Sequence, residues 1–243
     1  METAPVIIRF ENVGKSYGNH PVLEHFNLTI QKGEFITIIG SSGSGKTTLL
    51  KMVNGLLTPD RGSVYINGKN ISQENQNLLR RNIGYVIQGT GLFPHMTVRK
   101  NIAYVLTLLK HRNKEHIRQT VEHLIQIVGL EEEMLERYPS ELSGGQRQRV
   151  GIARALAASP EILLMDEPFG AVDEITRKML QAEITRIHQE LKVTIVFITH
   201  DIREALTLGS RVIVMKDGHI EQDASPEKIT ASPKTEFVKQ LIN

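Results

Sequence analysis

The chain contains no cysteine. That excludes a disulfide framework and fits a reducing cytoplasm. Nor is there an excess of either charge: 29 Lys and Arg stand against 27 Asp and Glu, for a formal net charge of +2 over 243 residues. Such a balance gives no long-range pull toward nucleic acid. No apolar run approaches the length of a membrane span. Met1-Glu2-Thr3-Ala4-Pro5 lacks the charged-then-apolar pattern of a secretory leader. Any membrane contact would have to be borrowed from a partner. Internal repeats and low-complexity segments are missing too. What is left is an ordinary globular composition, 40% hydrophobic and 23% charged. At this length it suits one α/β domain with a substantial core.

Within that plain background one segment stands out. Phe35-Ile36-Thr37-Ile38-Ile39 is a short, apolar, largely β-branched run, the pattern of a buried strand. It leads into Gly40-Ser41-Ser42-Gly43-Ser44-Gly45-Lys46-Thr47, and Thr47 to Met52 suit a helix. Strand, glycine loop and helix in that order make a phosphate-binding loop. Glycines let the backbone wrap closely and aim N–H groups at phosphate oxygens, and the helix adds a positive N-terminus. The expected binding set is Gly40, Ser41, Ser42, Gly43, Ser44, Gly45, Lys46, Thr47 and Thr48. In it, Lys46 reaches the β- and γ-phosphates and the Thr47 hydroxyl holds Mg²⁺.

Three further apolar strands end in polar residues. Ile162-Leu163-Leu164-Met165 runs into Asp166 and Glu167. Adjacent carboxylates at a strand end are costly unless a cation or hydrogen bonds satisfy them. Asp166 is the expected Mg²⁺ ligand, through water, and Glu167 is placed to orient or deprotonate an attacking water. Thr194 to Thr199 delivers His200, a donor to a γ-phosphate. Ile83 to Ile87 delivers Gln88, whose amide could contact Mg²⁺ or the water. Open α/β sheets build ligand sites at these C-terminal strand ends.

The remaining pattern is coarse. Residues 6–39 alternate as strands, with turns at Gly18-Asn19-His20-Pro21 and Lys32-Gly33. Residues 62–72 form a strand pair around Asn67-Gly68, and Arg211 to Asp223 a hairpin turning at Asp217-Gly218. From about residue 92 to about 158 the pattern is helical. Thr97 caps Val98 to Lys110, Ile117, Val121, Leu124, Ile125 and Val128 form an apolar stripe, and Gln146 to Ala158 is a good helix. Ser225-Pro226 and Ser232-Pro233 are each expected to start a short helix.

The chain resembles the ATP-binding subunits of ABC transporters over nearly its whole length. The motifs that carry the resemblance appear in order: the phosphate loop, Gln88, the signature Leu142-Ser143-Gly144-Gly145-Gln146, Asp166 and Glu167, the D-loop Ala171-Val172-Asp173, and His200. The resemblance implies an α/β P-loop NTPase with a central, mostly parallel sheet and an N-terminal antiparallel β-subdomain. A single ABC ATPase domain would span 1–243, with the helical subdomain at about 92–158 inserted in a RecA-like core and carrying the signature. The implied activity is ATP hydrolysis with Mg²⁺, coupled to transmembrane transport, with Glu167, His200 and Gln88 catalytic and Thr47, Gln88 and Asp166 on the metal. Tyr17 would stack on adenine. Ser143, Gly144, Gly145 and Gln146 would face the γ-phosphate bound by a second, head-to-tail copy of the chain. The implied partners are that copy, transmembrane permease subunits and, indirectly, a substrate-binding protein. The implied location is the cytoplasmic face of the cell membrane.

The stretch Gly84 to Gln88 followed by Gly91-Leu92-Phe93-Pro94-His95-Met96-Thr97-Val98 is similar to importers of glycine betaine, carnitine and choline. The sequence departs from that pattern at Gly89-Thr90, and the expected organisation is the single ATPase domain with no paired CBS module. Alternatives are a different importer or an exporter, or a soluble assembly ATPase. A further alternative is a nucleic-acid machine, but ATPases of that kind usually insert a long coiled coil between the two loops or carry two cassettes, whereas here the gap is short and the cassette single.

Overall fold

Two turn dipeptides set the hairpins. Asn67 and Gly68 have φ of 50° and 76°, and Asp217 and Gly218 have 47° and 80°. Positive φ at both central positions matches the twist of the flanking strands. The computed structural model describes residues 4–87, 89, 91–108, 113–170 and 172–242. In chain order its elements are β1 (Val6–Tyr17), β2 (His20–Gln31), β3 (Phe35–Gly40), α1 (Lys46–Val53), β4 (Arg61–Ile66), β5 (Lys69–Asn70), α2 (Gln76–Arg81), β6 (Ile83–Val86), α3 (Val98–Leu108), α4 (Lys114–Ile127) and α5 (Gly144–Leu156). There follow β7 (Ile162–Asp166), α6 (Glu174–Leu191), β8 (Thr194–Ile198), α7 (Ile202–Leu208), β9 (Arg211–Lys216), β10 (His219–Ala224), α8 (Pro226–Ala231) and α9 (Glu236–Ile242). The chain divides into two units, residues 1–80 with 193–243, and residues 81–192.

The first unit holds an antiparallel sheet of order β2-β1-β4-β5. Inward residues of β1 and β2, such as Ile8, Phe10, Phe26 and Leu28, are buried, and Phe10 meets Phe26 edge to face at 5.6 Å. Its second set of strands runs β10-β9-β3-β8. β3 pairs in parallel with β8 and with β9, while β9 and β10 close as the antiparallel hairpin. Both faces of β3 are covered, so β3 and β8 read as unbroken apolar runs. Ile39, Val212 and Val214 pack with Ala205 of α7, Ile229 of α8 and Val238 of α9.

One expected helix start moves. The last helix begins at Glu236, with Thr235 before it, and not at Ser232-Pro233. Buried Gln222 explains the delay. Its amide donates to the Ser232 carbonyl at 3.1 Å and accepts from the Lys234 N–H at 2.8 Å, which ties residues 232–234 to β10 before a helix can form. Ser225-Pro226 does start α8.

In the second unit β6 and β7 are parallel neighbours, Ile83 opposite Ile162 and Val86 opposite Met165. Helices α3, α4 and α5 bury Ile102 and Leu106, Val121, Leu124 and Ile125, and Val150, Ile152 and Leu156. α3 is described to Leu108, so the end of the expected Val98–Lys110 helix lies outside the described residues. α5 runs two residues earlier than the expected Gln146–Ala158, because Ser143 caps it. Among the described residues no helix is long and apolar enough to cross a membrane.

Candidate nucleotide site

The phosphate loop opens where β3 runs out. Gly40 pairs with Met215 of β9, and a Cβ there would lie 1.9 Å from the Met215 carbonyl oxygen. Only glycine fits that approach. Gly45, at φ 94°, precedes α1, and no side chain caps that helix. Its leading N–H groups and its dipole make the end of the loop a natural anion cradle. Lys46 folds back over the loop. Its Nζ donates to the Gly40 carbonyl at 3.0 Å, to the Ser41 carbonyl at 2.7 Å and to Ser44 Oγ at 3.3 Å. These three partners are neutral oxygens, which orient the ammonium without themselves cancelling its charge. Lys46 is 9% exposed and Ser44 1%. Ser42 and Gly43 lie exposed at the tip, Thr47 is half-buried and Thr48 buried.

Two other expected residues belong to this unit. Tyr17 ends β1 opposite His20 and keeps about half its surface open, 49%. A strand-end aromatic used for core packing would be covered; this one is half open. His200 is exposed just beyond β8, between buried Thr199 and Asp201, which caps α7.

The second unit holds the carboxylates and the signature. Asp166 is the last residue of β7 and is 8% exposed. Its negative charge and, more strongly, burial push the Tyr85 phenol up to about 12. Glu167 follows with φ 46°, in the left-handed region that non-glycine residues rarely occupy. Strain of this kind persists only where the surroundings enforce it. Gln88, one of the expected catalytic and metal-binding residues, and Ala171 of the D-loop lie outside the described residues.

The signature is a helix cap. Ser143 Oγ accepts from the Gln146 N–H at 3.2 Å, and Gln146 Oε1 accepts from the Ser143 N–H at 2.8 Å. This reciprocal box fixes the N-terminus of α5. Gln146 therefore spends its side chain on holding Ser143. Arg147 adds a bond to the Leu142 carbonyl at 2.6 Å. Ser143 and Gly144 are exposed and Gly145 is buried. A Cβ on Gly145 would lie 2.4 Å from Thr176 Cγ2.

The sequence reading missed that second use of Gly145, because α6 itself went unread. Its stripe of Leu180, Ile184 and Ile187 is thin, and the rest of the helix is polar. The signal was Asp173 followed by that spacing: Asp173 caps α6 by accepting from the Thr176 N–H at 3.0 Å. The same bond holds the Asp173 carboxyl below its ordinary value.

Residues 23–170 match the family described as ABC transporter. The carnitine transport ATP-binding protein OpuCA of Listeria monocytogenes is 49% identical over 237 residues, covering 97% of this chain and 59% of that protein. The glycine betaine uptake system ATP-binding protein YehX of Escherichia coli is 47% identical over 236 residues, covering 97% of this chain and 76% of that protein. The chain thus spans about three fifths of the length of OpuCA (59%). Among solved structures, the ATP-binding cassette MJ0796, as a dimer in a post-hydrolysis state bound to ADP and Pi, superposes with a TM-score of 0.82. It is 36% identical and covers 90% of this chain and 99% of that one. The fold is that of an α/β P-loop NTPase, and the chain belongs to the ABC transporter family.

Proposed function

We propose that the chain is the ATP-hydrolysing, energy-coupling subunit of an importer for quaternary amines such as glycine betaine, carnitine and choline. One ABC ATPase domain spans 1–243, with a helical subdomain at about 92–158 that carries the signature. Two copies pair head to tail. Each contributes the phosphate loop, Gln88, Asp166, Glu167 and His200 to one ATP, and Ser143, Gly144 and Gly145 to the ATP held by the other. Permease subunits docked near Gln88 and the helical subdomain carry the chain to the cytoplasmic face of the membrane, and a substrate-binding protein delivers cargo to them.

The observation that carries this reading is the pair of loops: one draws a buried lysine over its own carbonyls, the other exposes a capped helix start. Lys46 withdraws charge from the β- and γ-phosphates, and Tyr17 stacks on the base. Glu167 orients the attacking water and accepts its proton, and His200 donates to the γ-phosphate. The Thr47 hydroxyl and the buried Asp166 carboxylate are the hard oxygen donors that Mg²⁺ takes, Asp166 through water. Bound there, the ion neutralises charge across the phosphates. Because the γ-phosphate touches both copies, ATP closes the pair and hydrolysis reopens it.

Uptake of labelled glycine betaine, carnitine and choline at low and high osmolarity tests the assignment, in cells carrying either the native chain or Lys46→Ala. Uptake lost only with the variant is the expected result. Equal uptake in both, with the native chain still hydrolysing ATP, would discard the quaternary-amine assignment and keep the ATPase.

A further inference from the structure

His200 is exposed, yet the chain on either side of it is fixed by a buried network. Thr199, 2% exposed, continues the strand ladder, its N–H donating to the Ile38 carbonyl at 3.2 Å. Its hydroxyl donates to Glu204 Oε2 at 2.5 Å and accepts from the Asp201 N–H at 3.0 Å. Asp201 in turn caps α7, accepting from the Arg203 N–H at 2.8 Å. Glu204, in the first turn of α7, is 6% exposed.

The roles in this network are not interchangeable. The Thr199 hydroxyl oxygen accepts from the Asp201 N–H, so its one proton is left for Glu204 Oε2. The hydroxyl thus holds the peptide that follows His200, and the ladder bond holds the Thr199 backbone just before it. An apolar side chain in place of Glu204 would leave the buried Thr199 hydroxyl proton without this acceptor.

We propose that Glu204, acting through Thr199, is a positioning residue for His200. This rests on the reading of His200 as a γ-phosphate donor. Placement of such a donor matters to the transition state more than to ground-state binding, so the network is expected to act on turnover and not on nucleotide affinity.

The test uses the purified full chain and measures kcat, KM for ATP, and binding of a fluorescent ATP analogue. His200→Ala should lose turnover by about a hundredfold or more. Glu204→Ala and Thr199→Val, which breaks the network from its other end, should each lower kcat about tenfold and leave the nucleotide Kd within about twofold. Glu204→Gln keeps an acceptor and should stay within about threefold of the native kcat. In the His200→Ala background Glu204→Ala should cause no further loss, as expected of residues acting as one unit. The inference is overturned if Glu204→Ala and Thr199→Val turn over like the native chain while His200→Ala is dead. It is equally overturned if Glu204→Gln falls as far as Glu204→Ala, or if affinity falls along with kcat. Full activity in His200→Ala would remove the underlying reading of His200 itself.

Discussion

The two glycine loops of this chain are opposite solutions to binding one anion. The phosphate loop turns inward: its lysine is buried and bonded to the carbonyls of its own loop, and Gly40 is forced by the Met215 carbonyl behind it. The signature loop turns outward: Ser143 and Gly144 are exposed, and the two reciprocal bonds of its box hold the end of α5. The first has the parts of a binding site. The second has rigidity and an exposed helix end, but no cation within its own motif. A preformed helix start of that kind lowers the ordering cost of meeting a phosphate that another surface holds. The difference between the loops is therefore the physical case for a site completed by two copies.

The sharpest break in this comparison is Lys46→Ala. It should lower ATP turnover by about a hundredfold or more and weaken binding of the triphosphate, read by steady-state assay and by titration with a fluorescent ATP analogue. Ser143→Arg should also suppress turnover by about a hundredfold, yet leave ATP affinity within about twofold. Loss of affinity in that variant would make the signature part of its own chain's site.

Gly145→Ala separates packing from phosphate contact. Its Cβ would enter the space of Thr176 Cγ2, 2.4 Å away, so the variant should unfold about 1–3 kcal/mol more easily in urea. Adding Thr176→Ser removes that methyl and should restore stability. If stability returns but turnover does not, the glycine serves the phosphate as well as the helix contact.

The smallest expected effect concerns Tyr85. Its folded pKa is raised to about 12 by burial and by Asp166. The folded chain then holds this proton where the unfolded chain, at an ordinary value of about 10, has lost it. Its stabilising term is complete below pH ~10 and is lost as pH rises toward ~12. Tyr85→Phe should flatten that stretch of an alkaline unfolding titration and leave the neutral range unchanged.

Much of this was legible in the chain. The apolar runs at 35–39, 162–165 and 194–198 are strands because both their faces are covered, which removes the polar alternation that makes exposed strands ambiguous. The hairpins at Asn67-Gly68 and Asp217-Gly218 are encoded in two residues each. Less legible were features that depend on a partner distant in sequence. Nothing near Ser232-Pro233 announces that Gln222 will hold that backbone extended. Nothing in the signature announces Thr176 behind Gly145, and Glu204 stands out only once its hydroxyl partner is seen. Local pattern encodes elements and loops; the side chains that pin a loop come from elsewhere.

The most direct test of the two-copy site is sedimentation of Glu167→Gln with and without saturating Mg-ATP. That variant binds but should not hydrolyse, so the closed pair has no exit. The account predicts a monomer without nucleotide and a dimer with ATP that falls apart when Ser143→Arg is added. A chain that stays monomeric with Mg-ATP bound would contradict it.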